Sequence, residues 1–202
     1  MNGRKREQKG RLSVNNDLMC GELVRLTAEN PEVMARTFSR WSQEVEWFRL
    51  FDTDPPRLRS EKKWREGLEK ELEKGTSDEI FFAIRTQDSD TLIGFIGLFD
   101  FFPLHGDTFV AIALGEHETL GKGYGTDAMR VMLRYVFNEF NLRRVSLIVF
   151  EYNPRAIRSY EKVGFIPEGR VRGPMLREGK RWDFLYMGIL REEWLAKGIM
   201  IR

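Results

Sequence analysis

The sequence has one cysteine and two histidines among its 202 residues. A single thiol, Cys20, excludes an internal disulfide and a cysteine-based metal centre, so no metal is expected. Long apolar runs are also missing. The longest nearly uninterrupted stretch, Leu92 to Phe99, holds two glycines and ends at Asp100. A bilayer span takes about 20 apolar residues, so none of the chain is expected to enter a membrane. The first residues carry Arg4, Lys5, Arg6, Lys9 and Arg11 with no apolar segment behind them, which reads as a charged tail rather than a secretory leader. The cytoplasm is the expected compartment. Internal repeats and low-complexity tracts are absent as well. What is present is an apolar fraction of 42% with 12% aromatic residues, enough for a sizeable core. At about 150 residues per domain, the length predicts one domain with an elaboration.

The net charge of +2 conceals a segregation along the chain. Residues 1–11 carry +4 and residues 153–181 carry +5, which leaves −7 on residues 12–152. An acidic body joined to a basic C-terminal third can serve anionic and cationic ligands with different halves.

Residues 22–27 alternate apolar and polar and predict a first strand. Asn30-Pro31 is a helix start, and Val33, Met34, Phe38, Trp41, Val45 and Phe48 then recur at helical spacing until Pro55-Pro56. Ser60 opens a second, one-faced helix with Trp64, Leu68 and Leu72, and Gly75 is its expected stop. The period changes to that of strands over residues 80–85, 92–102 and 108–114, whose short connections permit only antiparallel neighbours. Gly94 and Gly97 inside the middle strand predict a bulge or a close backbone approach. A long helix with Met129, Met132, Leu133, Val136, Phe137 and Phe140 on one face follows, then a strand over residues 145–150, which together make a parallel crossover. Asn153-Pro154 opens a further helix that Gly164 stops, and two strands, 165–172 and 181–190, turn near Glu178-Gly179-Lys180.

Between a strand and the long helix lies Leu120-Gly121-Lys122-Gly123-Tyr124-Gly125. Glycines there let N–H groups converge on an anion at the positive end of the helix, which is how phosphates are cradled. The loop is not a Walker A, because Gly115 to Gly121 encloses five residues and Lys122 is followed by Gly123 rather than Ser or Thr. Gly123-x-Gly125-x-x-Ala128 satisfies the dinucleotide pattern, with Glu151 placed as a ribose acid. That pattern should follow its strand almost at once, yet about eight residues separate Gly115 from Gly123.

The run LGEHETLGKGYGTDAMRVMLRYVF, followed by NLRRVSLIVFEYNPRAIRSYEKVGFIPEGRVR and REGKRWDFLYMGILREEW, resembles the GNAT superfamily of acyl-CoA-dependent N-acetyltransferases, in particular its ribosomal-protein and spermidine acetyltransferase branch. The resemblance covers residues 20–194. It implies an α/β (α+β) fold: a mixed, mostly antiparallel central sheet with helices on both faces and a splayed strand pair forming the acyl-CoA cleft. It also implies a basic, flexible tail over 1–19, one acetyltransferase domain over 20–194, a short extension over 195–202, and allows a homodimer. The co-substrate implied is acetyl-CoA, with its pyrophosphate on the amides of Gly121, Lys122, Gly123, Tyr124 and Gly125, Thr126 beside them in the cofactor site, and its pantetheine arm along the strand ending at Leu114. Leu120 departs from the family's Gln or Arg, which leaves a site built from backbone amides intact. Asn153 matches the asparagine facing the cofactor arm and Tyr160 the tyrosine near the thioester sulfur. Arg155 and Arg158 begin the basic third and are the nearest side chains for coenzyme A phosphates.

Acetyl transfer to an amine needs a polarised thioester, a proton donor for the leaving thiolate and a neutral nucleophile. Backbone N–H groups at Leu114 and Gly115 are the expected oxyanion donors and Tyr160 the expected acid. The base is open: Asp100, Glu116 and His117 are candidates, and relay to water is the alternative. The early helices, which the resemblance implies wall the acceptor cleft, hold Glu29, Glu32, Glu44, Glu46, Asp52 and Asp54 against Arg36, Arg40 and Arg49, which suits a cationic acceptor such as a protein N-terminus (a ribosomal protein, for instance), a polyamine or an aminoglycoside. Two other readings remain open from sequence: a non-catalytic acyl-CoA sensor, and a ribosome- or RNA-associated protein acting through residues 1–11 and the basic third, with Arg181-Trp182 as its local support.

Overall fold

In the computed structural model, residues 18–73, 80–102 and 104–198 are described. The expected basic tail falls outside them except for its last two residues, as does the helix stop at Gly75. In chain order the elements are β1 (Val24–Thr27), α1 (Pro31–Trp41), α2 (Val45–Phe51), α3 (Glu61–Glu73), β2 (Ile80–Thr86), β3 (Leu92–Phe102), β4 (Asp107–Leu114), α4 (Tyr124–Glu139), β5 (Arg144–Phe150), α5 (Pro154–Val163), β6 (Ile166–Arg177), β7 (Lys180–Leu190) and α6 (Arg191–Ala196). The strands form one seven-stranded sheet in the order β1-β2-β3-β4-β5-β7-β6. Every pair is antiparallel except β4 with β5.

Strand alternation gives the sheet two apolar faces, and helices cover both. Val110 on β4 and Val145, Leu147 and Val149 on β5 share one buried cluster with Met129, Met132, Leu133 and Phe137 of α4. Phe95 and Ala113 point the other way and pack with Met34, Phe38 and Trp41 of α1 and Trp47 and Phe48 of α2. Gly94 shows the close approach its position predicts: a Cβ there would lie 2.3 Å from the Ala113 carbonyl oxygen.

Besides β6, which runs on to Arg177, two elements differ from the sequence reading. The helical spacing from Val33 to Phe48 belongs to two helices, broken at Ser42-Gln43-Glu44. At about 100° per residue, positions 41 and 47 of one continuous helix face directions about 120° apart. The break lets both indoles reach the sheet, Trp41 and Trp47 lying 5.9 Å apart between ring centroids. The second difference is α6, which the sequence reading lacks and which runs across the expected 194/195 boundary. It carries Trp194, 1% exposed, against Phe137.

The chain before β1 is strapped to α4. The buried Asp127 carboxylate accepts from the N–H groups of Glu22 (3.2 Å), Leu23 (2.7 Å) and Val24 (3.0 Å). Gly21 makes room for it, since a Cβ there would stand 2.3 Å from the carboxylate. Two turns further on, Arg134 donates to the carbonyls of Leu18 and Cys20.

Candidate active site

β4 and β5 are paired only at Asp107–Arg144, Thr108–Val145 and Phe109–Ser146. Beyond those three positions they diverge, β4 staying on β3 and β5 on β7. Which main-chain groups are left over follows from the register. Gly115 N–H donates to Ile93 O at 2.9 Å, so Gly115 is a hydrogen-bonded position against β3, and the alternate residues Val110, Ile112 and Leu114 turn their N–H and C=O groups toward β5. Past the splay those groups have no strand to meet. This corrects the oxyanion expectation at one position: the Gly115 N–H is already engaged, and the Leu114 N–H is the one aimed into the gap. Gly115 itself is required by packing, because a Cβ would fall 1.9 Å from the Trp41 ring.

A cavity of about 710 Å³ occupies the gap. On the α4 side its walls are Leu114, Gly115, Leu120, Gly121, Lys122, Gly123, Gly125 and Thr126, then Asn153, Arg155, Arg158, Ser159, Tyr160 and Lys162 of the α5 region. Of the residues expected to hold acetyl-CoA or to act as the acid, Tyr124 alone does not line it, because its ring packs into the α4 core. Gly121 and Gly123 sit at φ +76° and +97°, a left-handed backbone that glycine adopts without strain. The first bond of α4 runs from Asp127 N–H to Gly123 O. The N–H groups of Gly123, Tyr124, Gly125 and Thr126 precede it and donate to no acceptor among the described residues, the orphan set of a helix start. With four cationic side chains beside them, these amides fit a pyrophosphate. The Thr126 hydroxyl has a protein partner, Ser159 Oγ at 2.8 Å, which ties α4 to α5.

Asn153 caps α5, its Oδ1 accepting from Ala156 N–H at 3.1 Å. Two turns along, Tyr160 is half-buried on the cleft side, edge-on to Phe165. Its hydroxyl has no hydrogen-bond partner among the described residues. Burial pushes the phenol up to about 12, so it is fully protonated at neutral pH.

An early helix forms the opposite wall, as the resemblance implies, though of its lining residues only Glu46 is singled out as an acceptor-side residue in the sequence. Glu46, Trp47, Leu50 and Phe51 of α2 face Ile148 and Phe150 of β5 across the cavity. Only α2 residues spaced by one turn could have signalled this, and nothing local says that the partner is β5. The far end of α2 is tied down by the β5–α5 loop and the β6–β7 hairpin: Tyr152 Oη donates to Arg49 O at 2.6 Å, Arg177 donates to Tyr152 Oη and Asp52 O, and Arg49 pairs with Glu178 at 2.7 Å.

The base candidates separate. Asp100 is exposed and does not line the cavity, and Glu116 is held outside it by Arg40 and by Trp41 Nε1. His117 lines the cavity with its Nε2 paired to Glu44. The local support for an RNA surface changes too, since Trp182 packs edge-on to Tyr152 with Lys180 Nζ 3.6 Å over its ring, and Arg181 donates to Gly173 O. Among the described residues there is no cluster of three or more metal-binding side chains, and no helix long and apolar enough to cross a membrane.

A parallel pair that splays beside a glycine loop, with an unpartnered phenol at the gap, is the arrangement that the resemblance implies. Comparison with known proteins shows the family. The family described as Acetyltransferase (GNAT) domain matches residues 22–166, and the chain belongs to that family, which makes it an acyltransferase. It is 32% identical over 136 residues to the SPbeta prophage-derived uncharacterized N-acetyltransferase YokL of Bacillus subtilis, covering 67% of this chain and 74% of that one. It is 32% identical over 107 residues to the spermidine N(1)-acetyltransferase of Vibrio cholerae, covering 52% of this chain and 61% of that one. A crystal structure of spermidine N-acetyltransferase from Vibrio cholerae in complex with CoA and spermine shares the fold, with a TM-score of 0.75 at 24% identity over 85% of this chain and 98% of that one.

Proposed function

We propose that this chain moves an acetyl group from acetyl-CoA to a primary amine by direct attack in a ternary complex. The observation that carries the reading is the meeting, in one cavity, of the unpaired β4 main chain, the orphan amides of the glycine loop and the free Tyr160 hydroxyl. The two faces of the sheet divide the work. The glycine loop and α5 open on the α4 face, where Lys122, Arg155, Arg158 and Lys162 suit phosphates, while α2 walls the other face. Donor and acceptor therefore enter from opposite sides and meet between β4 and β5. When bound, acetyl-CoA supplies the activated acyl carbon.

The chain's own contributions are positional and electrostatic. The Leu114 N–H points where negative charge grows on the acyl oxygen. Tyr160 donates a hydrogen bond toward the departing sulfur. With a pKa of about 12 it is a weaker acid than a thiol, so it stabilises the developing thiolate as a fixed donor rather than surrendering its proton completely. Replacing Tyr160 by Phe keeps the ring and removes the donor. Turnover, read as free thiol released from acetyl-CoA, is expected to fall about 10²-fold or more with acetyl-CoA binding retained. Near wild-type turnover in that variant, with chemistry rate-limiting, would return Tyr160 to a packing role. Absence of turnover with every amine in the wild type, with acetyl-CoA still bound, would favour the sensor reading.

A further inference from the structure

We infer that Tyr152 is a positioning residue: its hydroxyl holds the last turn of α2 against β5 and so sets how tightly the acceptor amine binds, although Tyr152 does not itself line the cavity. This rests on the acetyltransferase reading above, with α2 as the acceptor wall.

α2 cannot place itself. It has seven residues, its N-cap Glu44 makes no side-chain capping bond, and Asp52 leaves the other end in an extended conformation, φ −120° and ψ 152°. So short a helix is marginal on its own. A helix leaves its last four carbonyls without a partner of its own; here Phe48 O receives the Asp52 N–H at 2.8 Å, and Arg49 O is the next that needs a donor. Tyr152 Oη supplies it at 2.6 Å. Chemistry fixes the direction of that bond. Arg177 Nε–H meets the same hydroxyl at 3.2 Å, and a guanidinium only donates, so the hydroxyl accepts from Arg177 and sends its own proton to Arg49 O. Burial pushes the Tyr152 phenol up, so that proton is kept. Arg177 also donates to Asp52 O, and the two side chains together cap α2 from elements distant in sequence.

The other end of the tether is rigid. Glu151 N–H donates to Asp183 O at 3.0 Å, Asp183 N–H donates back to the Glu151 carboxylate at 3.2 Å, Arg170 bridges the two carboxylates, and Asn153 N–H closes the turn on Phe150 O at 2.8 Å. The Tyr152 ring stacks on Phe150, with centroids 5.3 Å apart and planes 24° from parallel. Phe150 lines one side of the cavity, and Leu50 and Phe51, in the same turn as Arg49, line the other. One side chain therefore spans both walls, its ring on β5 and its hydroxyl on α2, and fixes the spacing between them. Losing the hydroxyl frees the Leu50–Phe51 side while the glycine loop and the α5 cations, on the donor half, keep their places.

The test compares the wild type, Tyr152→Phe, Arg177→Met and the double variant, with acetyl-CoA and whichever of spermidine, a tripeptide amide and kanamycin the wild type turns over best. Tyr152→Phe keeps the ring on Phe150 and removes only the proton given to Arg49 O. It should raise the acceptor KM about fivefold, with kcat and the acetyl-CoA KM within about twofold of the wild type. Arg177→Met, which also frees Asp52 O, should raise the acceptor KM at least as much, and the double variant should be within about twofold of Arg177→Met, because both groups act through one hydrogen-bonded chain. Hydrogen exchange over residues 45–52 should quicken in Tyr152→Phe and stay as in the wild type over α4. Acetyl-CoA should raise the melting temperature of every variant as it does that of the wild type, showing that they are folded. An acceptor KM within about twofold of the wild type in Tyr152→Phe, or a rise in the acetyl-CoA KM as large as the acceptor's, overturns the assignment and leaves the acetyltransferase reading standing. No turnover of any of the three amines by the wild type overturns both.

Discussion

Removing the Asp127 carboxylate tests the largest single polar anchor in the fold. Three N–H groups converge on it, with the Val24 amide fully buried and those of Glu22 and Leu23 partly so. In Asp127→Ala the Val24 amide loses its only acceptor in a place water does not reach, which costs about 2 kcal/mol, and the two partly exposed amides add about 0.5 kcal/mol each after relaxation. The expected loss is therefore about 3 kcal/mol. For a chain of this size that lowers the melting temperature by about 6–12 °C. Asp127→Asn keeps one acceptor oxygen but sets an NH2 group against a donor, and should lie between the two. Urea unfolding followed by tryptophan fluorescence gives the free energies, and an unchanged slope confirms that the native state is comparable. A loss below about 1 kcal/mol in the alanine variant would show that β1 finds other partners and would refute the reasoning.

Gly123→Asp should abolish the rise in melting temperature that acetyl-CoA produces, since it forces a non-glycine residue to φ +97° and puts a carboxylate among the orphan amides; a preserved rise removes the phosphate assignment. Gly115→Ala should cost about 2 kcal/mol or more by pushing its methyl into the Trp41 ring, and a change under about 0.5 kcal/mol would mean that Trp41 can step aside freely. The Tyr160 phenol, at about 12 in the folded state against 10.0 unfolded, contributes stability that is whole below pH 10 and lost as pH rises toward 12. The wild type should therefore lose more stability than Tyr160→Phe over that window in pH-dependent urea titrations, and parallel losses would place the phenol in water.

The sequence was most legible where chemistry is local. The glycine loop, the Asn30-Pro31 and Asn153-Pro154 helix starts and the Glu178-Gly179 turn are specified by residues within a few positions of one another, and the structure has each of them. The break between α1 and α2 was hidden because Val45 and Phe48 continue the helical spacing of Met34 and Phe38, while its cause, two indoles needing the same face of the sheet, is tertiary. The last helix was hidden because Leu190 offers no side-chain cap of the usual kind, and the closing bond instead runs from its own N–H to Glu193 at 2.9 Å. The lining of the α2 wall was the least legible. Which carboxylates stay free depends on arginines dozens of residues away, as Arg85 on Glu29 shows.

The three-residue pairing of β4 with β5 has an evolutionary reading. The half of the cavity that would grip the donor consists largely of amides and a helix start, which most side-chain replacements cannot alter. The opposite half consists of side chains on a seven-residue helix whose core contacts come chiefly from Trp47 and Phe48. Mutational tolerance is therefore unequally distributed: positions 46 and 50 can drift, and on the proposed reading the acceptor would change with them while the donor half is kept. A library confined to those two positions should change acceptor preference far more readily than it changes folding or donor binding.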